Sequence, residues 1–210
     1  MSGLAYFISP EPRGPGVLLL HSWFGLTSFT KRIADRLSDE GFTVLAPDLM
    51  AEALPADLAE AESTLQAADP NYLASATLSA AGVLARQTGT IQVVGIGMGG
   101  SLGLWASVRL PDLITGVISI YGAQSIDFAA SSSSYQIHLA EKDPWLPDDD
   151  AIFMEATMRL EGLTVEVHVY HGTTHGFFEE GNDYDRVAAD LVWERSLRFL
   201  RRGDQSAGAN

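Results

Sequence analysis

The sequence predicts one domain built on a mostly parallel, doubly wound α/β sheet with helices on both faces. Three observations predict it. Short apolar runs alternate with longer amphipathic ones. Several of the apolar runs have no polar face, as strands covered on both sides require. No repeat, linker or low-complexity block divides the 210 residues, a length that suits one well-filled core.

An edge strand is expected at residues 5–8. Core strands are expected at 17–21, 42–46, 91–95, 116–121, 135–140 and 165–170. Between them, Ser28 is positioned to cap a helix in which Phe29, Ile33 and Leu37 recur every four residues, and Gly41 to end it. Further helices are expected at 71–87 and at 98–110, the latter stopped by Pro111. Three aspartates at 148–150 complement the positive end of a helix at 151–160. A last helix is expected at 184–201. The domain then spans 1–202, and the small polar residues 203–210 read as a mobile tail.

Apolar residues form 46% of the chain, which excludes disorder over most of it. With 13 Lys and Arg against 27 Asp and Glu, the net charge is −14. Such a surface disfavours nucleic acid and anionic membranes as partners. The longest early apolar run, residues 17–20, is too short to span a bilayer. No secretory signal opens the chain, so a cytoplasmic location is expected. Cysteine is absent, which excludes disulfides, thiolate metal sites and a cysteine nucleophile. The expected partner is a small molecule, with no metal or cofactor, bound by a monomer or homodimer.

Chemistry concentrates in four places. In Gly95-Ile96-Gly97-Met98-Gly99-Gly100, a glycine-rich turn joins a buried strand to a helix. Hydrolases of the α/β class place G-x-nucleophile-x-G at such a turn. Gly95 and Gly99 fit the flanking positions, and Gly97 stands where the nucleophile belongs. The same six residues also satisfy G-x-G-x-x-G, so a dinucleotide- or phosphate-binding turn remains an alternative. Against it, the turn follows an interior strand, and no acidic residue ends a strand some 20 residues later.

Asp143 lies just past a strand end, where it could orient a base. His175, in a glycine-flanked loop after the last strand, is the candidate general base. The turn His21-Ser22-Trp23-Phe24-Gly25 follows the first core strand, where the backbone N–H groups of Trp23 and Met98 could converge on an oxyanion. Taken singly, these are an ordinary loop aspartate, a surface histidine and two aromatics packed over a sheet edge. Their joint order is the signal.

On these residues the chain resembles the dienelactone hydrolase family. The matching pieces are Trp23-Phe24-Gly25, Ala46-Pro47-Asp48-Leu49, the glycine turn with Gly99-Gly100, Tyr121-Gly122, Asp143 and His175-Gly176-Phe177, spread over residues 17–200. The resemblance implies the α/β-hydrolase fold and ester or lactone hydrolysis by Cys, Asp and His. It also implies a ligand-facing role for Ser22, Phe24, Tyr121, Phe177 and Glu179. Three departures stand out. The nucleophile position holds Gly97. The family's buried glutamate, partner of the resting cysteine, falls at Ser22. The arginine that binds a substrate carboxylate, four residues after the histidine, falls at Glu179, which would repel anionic substrates.

Glycine cannot form an acyl-enzyme. Three readings therefore stay open beside the dinucleotide one. The chain binds a small ester- or lactone-like molecule without turnover; it hydrolyses one with a water activated by His175 and Asp143; or it is a nucleophile-deleted variant of an active esterase. Ser22 is a weaker replacement nucleophile, because it sits on the oxyanion loop.

Overall fold

A computed structural model describes residues 5–11, 13–50 and 54–207. Seven strands form one sheet in the order β1-β3-β2-β4-β5-β6-β7. They are β1 (Ala5–Ile8), β2 (Gly16–Leu20), β3 (Thr43–Pro47), β4 (Ile91–Ile96), β5 (Ile114–Ile120), β6 (Ser134–Lys142) and β7 (Val165–Thr174). Only β1 runs antiparallel, pairing Phe7 with Leu45 at the edge beside β3. This is the predicted α/β-hydrolase architecture.

Side-chain alternation explains why the strands read as apolar throughout. Val17 and Leu19 enter a core with Ile33 and Leu37 of α1 (Ser28–Asp39) and with Val192 and Leu200 of α6 (Arg186–Ala207). Leu18 and Leu20 enter the opposite core. There they meet Leu73 and Leu84 of α3 (Pro70–Thr88), Leu104 of α4 (Met98–Ser107) and Met154 and Met158 of α5 (Asp148–Leu160). Both sheet faces are thus sealed, which leaves the strand ends as the place for a site.

Several boundaries differ from expectation. The first helix is capped by Thr27, not Ser28: the Thr27 hydroxyl accepts the Thr30 N–H at 3.3 Å. α4 stops at Ser107 rather than residue 110. α6 starts at Arg186, with Asp185 accepting the Ala188 N–H, and continues to Ala207, five residues into the stretch expected as a tail. Residues 208–210 lie outside the described part. Helix α2 (Leu58–Ala67) escaped the sequence reading because it buries only Ala61 and so carries no apolar stripe. Its start is nevertheless well made. Asp57 accepts the Glu60 N–H at 2.9 Å, while Glu60 reaches back to the Ala56 N–H at 2.7 Å.

β6 and β7 run past their expected ends and pair as far as Lys142 with Thr174. Glu141 supports the extension by accepting the Gly172 N–H at 2.8 Å and bonding His171 Nδ1 at 2.9 Å. This register delivers the next residue of each strand, Asp143 and His175, side by side. No helix among the described residues is long and apolar enough to cross a membrane.

Candidate active site

The carboxyl ends of β2, β4, β5, β6 and β7 meet around one cavity of about 340 Å³. Its wall includes Ser22, Trp23, Gly97, Met98, Tyr121 and His175. Six of the expected residues therefore share one space, with Asp143 directly behind His175.

Gly97 joins β4 to α4 at φ 54°, ψ −116°, a left-handed conformation that side chains rarely adopt. Its N–H is held by the Ile120 carbonyl at 2.8 Å and its carbonyl by the Ser101 N–H at 3.1 Å. The flanking glycines are required by contact. A Cβ on Gly95 would overlap the Gly99 carbonyl, and one on Gly99 would overlap the Leu20 carbonyl. Above Gly97 the situation is the reverse. A Cβ there would rest 3.7 Å from Ser22 Cβ and 3.7 Å from Tyr121 Cε2, ordinary contact distances. The turn thus has room for a side chain and carries none.

His175 Nδ1 lies 2.8 and 2.9 Å from the two Asp143 oxygens. The Asp143 side chain is 4% exposed and that of His175 14%. An ionised carboxylate only accepts hydrogen bonds, so Nδ1 carries the proton and Nε2 is the basic atom of the neutral ring. Asp143 Oδ1 also accepts the N–H groups of Trp145 at 2.9 Å and Leu146 at 3.1 Å, which locks the carboxylate in place. The imidazole is flanked by Tyr121 and Trp23, with ring centroids 4.5 and 5.6 Å away.

Met98 opens α4, so its N–H is one of the first-turn donors with no partner inside the helix. Among the described residues the Trp23 N–H meets no backbone acceptor. Both residues border the cavity beside Gly97.

A carboxyl group stands against Ser22 after all, supplied from a different direction. The Ser22 hydroxyl donates to Glu179 Oε1 at 2.7 Å and the Tyr121 hydroxyl to Oε2 at 2.8 Å. Burial pushes the Glu179 carboxyl above its ordinary pKa, against the opposing pull of those two bonds and of nearby His175. Tyr121 itself has φ 40°, a strained conformation for a non-glycine residue of the kind that concentrates at functional sites.

Three expected ligand-facing residues are placed elsewhere. Phe177 is fully buried beneath Tyr121 and against Tyr170, where it fills the core. Phe24 packs edge-on to Trp23 outside the cavity wall. Glu179 lies behind Ser22 and Tyr121 rather than on the wall. Sequence reasoning missed the opposite wall, where Leu65 of α2, Trp145, Leu146 and Asp150 close the cavity. It also missed His21. Its Nε2 accepts the Leu49 N–H at 2.9 Å, so its Nδ1–H donates to the Ser22 carbonyl at 2.6 Å and pins the loop. Burial pushes the His21 pKa below the ordinary range and favours this neutral form. A histidine closing an otherwise apolar strand was the available signal. No group of three or more acidic or histidine side chains among the described residues is placed to hold a metal ion.

The model of the dienelactone hydrolase family matches residues 4–203. Protein usf of Aquifex pyrophilus is 31% identical over 216 residues, covering 93% of this chain and 91% of that protein. A Bradyrhizobium protein named "Probable 2-oxo-3-(5-oxofuran-2-ylidene)propanoate lactonase" is 26% identical, covering 95% of this chain and 89% of that protein. Among solved structures, a dienelactone hydrolase-like promiscuous phosphotriesterase from metagenomic libraries superposes with a TM-score of 0.78 at 24% identity. It covers 90% of this chain and 86% of that one, a likeness of fold.

Proposed function

Because this chain belongs to the dienelactone hydrolase family, we propose that it hydrolyses a small ester or lactone with a water molecule in place of the family's covalent nucleophile. One observation carries the reading: the His175–Asp143 pair is fully formed at 2.8 Å, and His175 shares the cavity wall with Gly97, which carries no side chain. Water held over Gly97 would give a proton to His175 Nε2 as its oxygen attacks the carbonyl carbon. Asp143 would stabilise the imidazolium, and the N–H groups of Trp23 and Met98 would receive the developing oxyanion. The imidazolium would then return its proton to the leaving oxygen as the C–O bond breaks. The name of the Bradyrhizobium relative supports the lactone class.

The empty Gly97 position favours a second reading, a binding protein with no turnover, since loss of a nucleophile ordinarily leaves only residual catalysis. A panel of aryl esters and lactones run against wild type and the His175→Ala variant separates the two. Turnover that the substitution removes supports the hydrolase. Saturable binding without turnover leaves the binding protein.

A further inference from the structure

The cavity's charge and wall chemistry select its ligand. None of its described lining residues is lysine or arginine. Two of them, the half-buried Trp23 and the exposed Trp145, present aromatic surface, and Asp150 stands at the rim. Trp23 and Trp145 meet edge-to-face, with centroids 5.1 Å apart and planes at 88°. Trp145 is 43% exposed, so part of its indole is available to a ligand. Its backbone is tied to Asp143 at 2.9 Å, which fixes it near the acid–base pair. Asp149 and Asp150 both fall in the first turn of α5. A helix end offers roughly half a positive charge, so two carboxylates leave the local field negative. Aromatic faces with acid alongside attract cations, and no lysine or arginine among the described lining residues pairs with a charged anionic group on the ligand.

The geometry points to a ligand that carries a positive charge, an amine or quaternary ammonium, next to the carbonyl presented above Gly97. The ammonium sits against the Trp145 and Trp23 indoles with Asp150 facing it, and the carbonyl reaches the Trp23 and Met98 N–H groups. The inference rests on the proposed use of this cavity as the ligand site. It does not require turnover.

Acetylcholine, its neutral carbon isostere neohexyl acetate, and anionic acetoxyacetate form the test series. Binding is read by tryptophan fluorescence at low salt, and hydrolysis is followed separately by pH-stat. Acetylcholine should bind on the order of 10-fold tighter than neohexyl acetate, as a partly exposed cation–π site allows. Acetoxyacetate should bind weakest. Asp150→Asn, a surface change, should shrink the preference several-fold, and added salt should do the same. Equal binding of the three, preference for the anion, or no saturable signal from any of them overturns the inference. Preference without hydrolysis keeps it and removes the hydrolase reading. Hydrolysis of neohexyl acetate without preference does the reverse.

Discussion

Tyr121 Cε2 lies 3.7 Å from the point where a Cβ on Gly97 would stand. The pocket therefore accepts a small side chain, and the obstacle to one is the backbone conformation at φ 54°. Gly97→Ser and Gly97→Cys should fold at a cost of about 1–3 kcal/mol. They should raise ester hydrolysis, on the order of 10²-fold, through an acyl intermediate. His175→Ala in the same background should cancel the gain. Rates on an ester panel together with intact mass check both points. Folded variants with neither adduct nor gain would mean that the surrounding groups no longer form a hydrolytic site.

Gly99 behaves differently from Gly97. Its Cβ would meet backbone that cannot move independently of β2. Gly99→Ala should cost several kcal/mol or prevent folding, on the order of an overpacked core or more, while Gly97→Ala costs only its backbone strain. Denaturant midpoints of the two variants give the comparison. Equal cost at the two positions would contradict the close approach of β2 and α4.

Asp143→Asn should leave the fold nearly unchanged and still remove function. The Asn oxygen can go on accepting the Trp145 and Leu146 N–H groups. Its NH₂ then faces His175 Nδ1, which must accept, so the ring proton moves to Nε2 and the base is lost. Turnover should drop by about 10²-fold or more with little change in melting temperature. An unchanged rate would remove Asp143 from the mechanism.

Stability should decline as pH falls below the ordinary histidine range. His138 is fully buried, between Tyr170 at 2.7 Å and Gln136 at 3.0 Å. Burial holds its folded pKa well below 6.5, and His168 and Arg195 add to the effect. His21 shifts the same way. The unfolded chain therefore binds protons that the folded chain refuses. This stabilisation is complete above pH 6.5 and is lost as pH falls from there toward the folded pKa values. Glu179, shifted upward, acts in the opposite sense: its favourable share is full below 4.5 and is lost as pH rises through its folded pKa. NMR titration should find the His138 ring neutral where a free imidazole is half protonated. A charged His138 at that pH would contradict the buried network.

The sheet was readable from the sequence because strands sealed on both faces must be largely apolar, and 17–20 and 93–96 carry no polar side chain. Gly97, Asp143 and His175 were readable because each directly follows its own strand. Helix α2 was not, since it buries one alanine and is recognised only by its capping residues. The Trp145–Asp150 wall was also hidden, because its nearness to Trp23 depends on how β6 and α5 close over the sheet edge. Glu179 was visible as a charge, but its bonds to Ser22 and Tyr121 link residues 157 and 58 positions apart. No local pattern encodes such a contact.

In the proposed reaction His175 activates water directly over Gly97. The most direct measurement follows one ester turned over by the wild type and by His175→Ala, with the protein sampled by intact mass during turnover. We expect the wild type to release acid and alcohol together, with no burst and no mass increase, and His175→Ala to lose about 10²-fold or more of the rate. A wild-type rate indifferent to His175→Ala, or an acyl group carried on Ser22 or any other side chain, would contradict it.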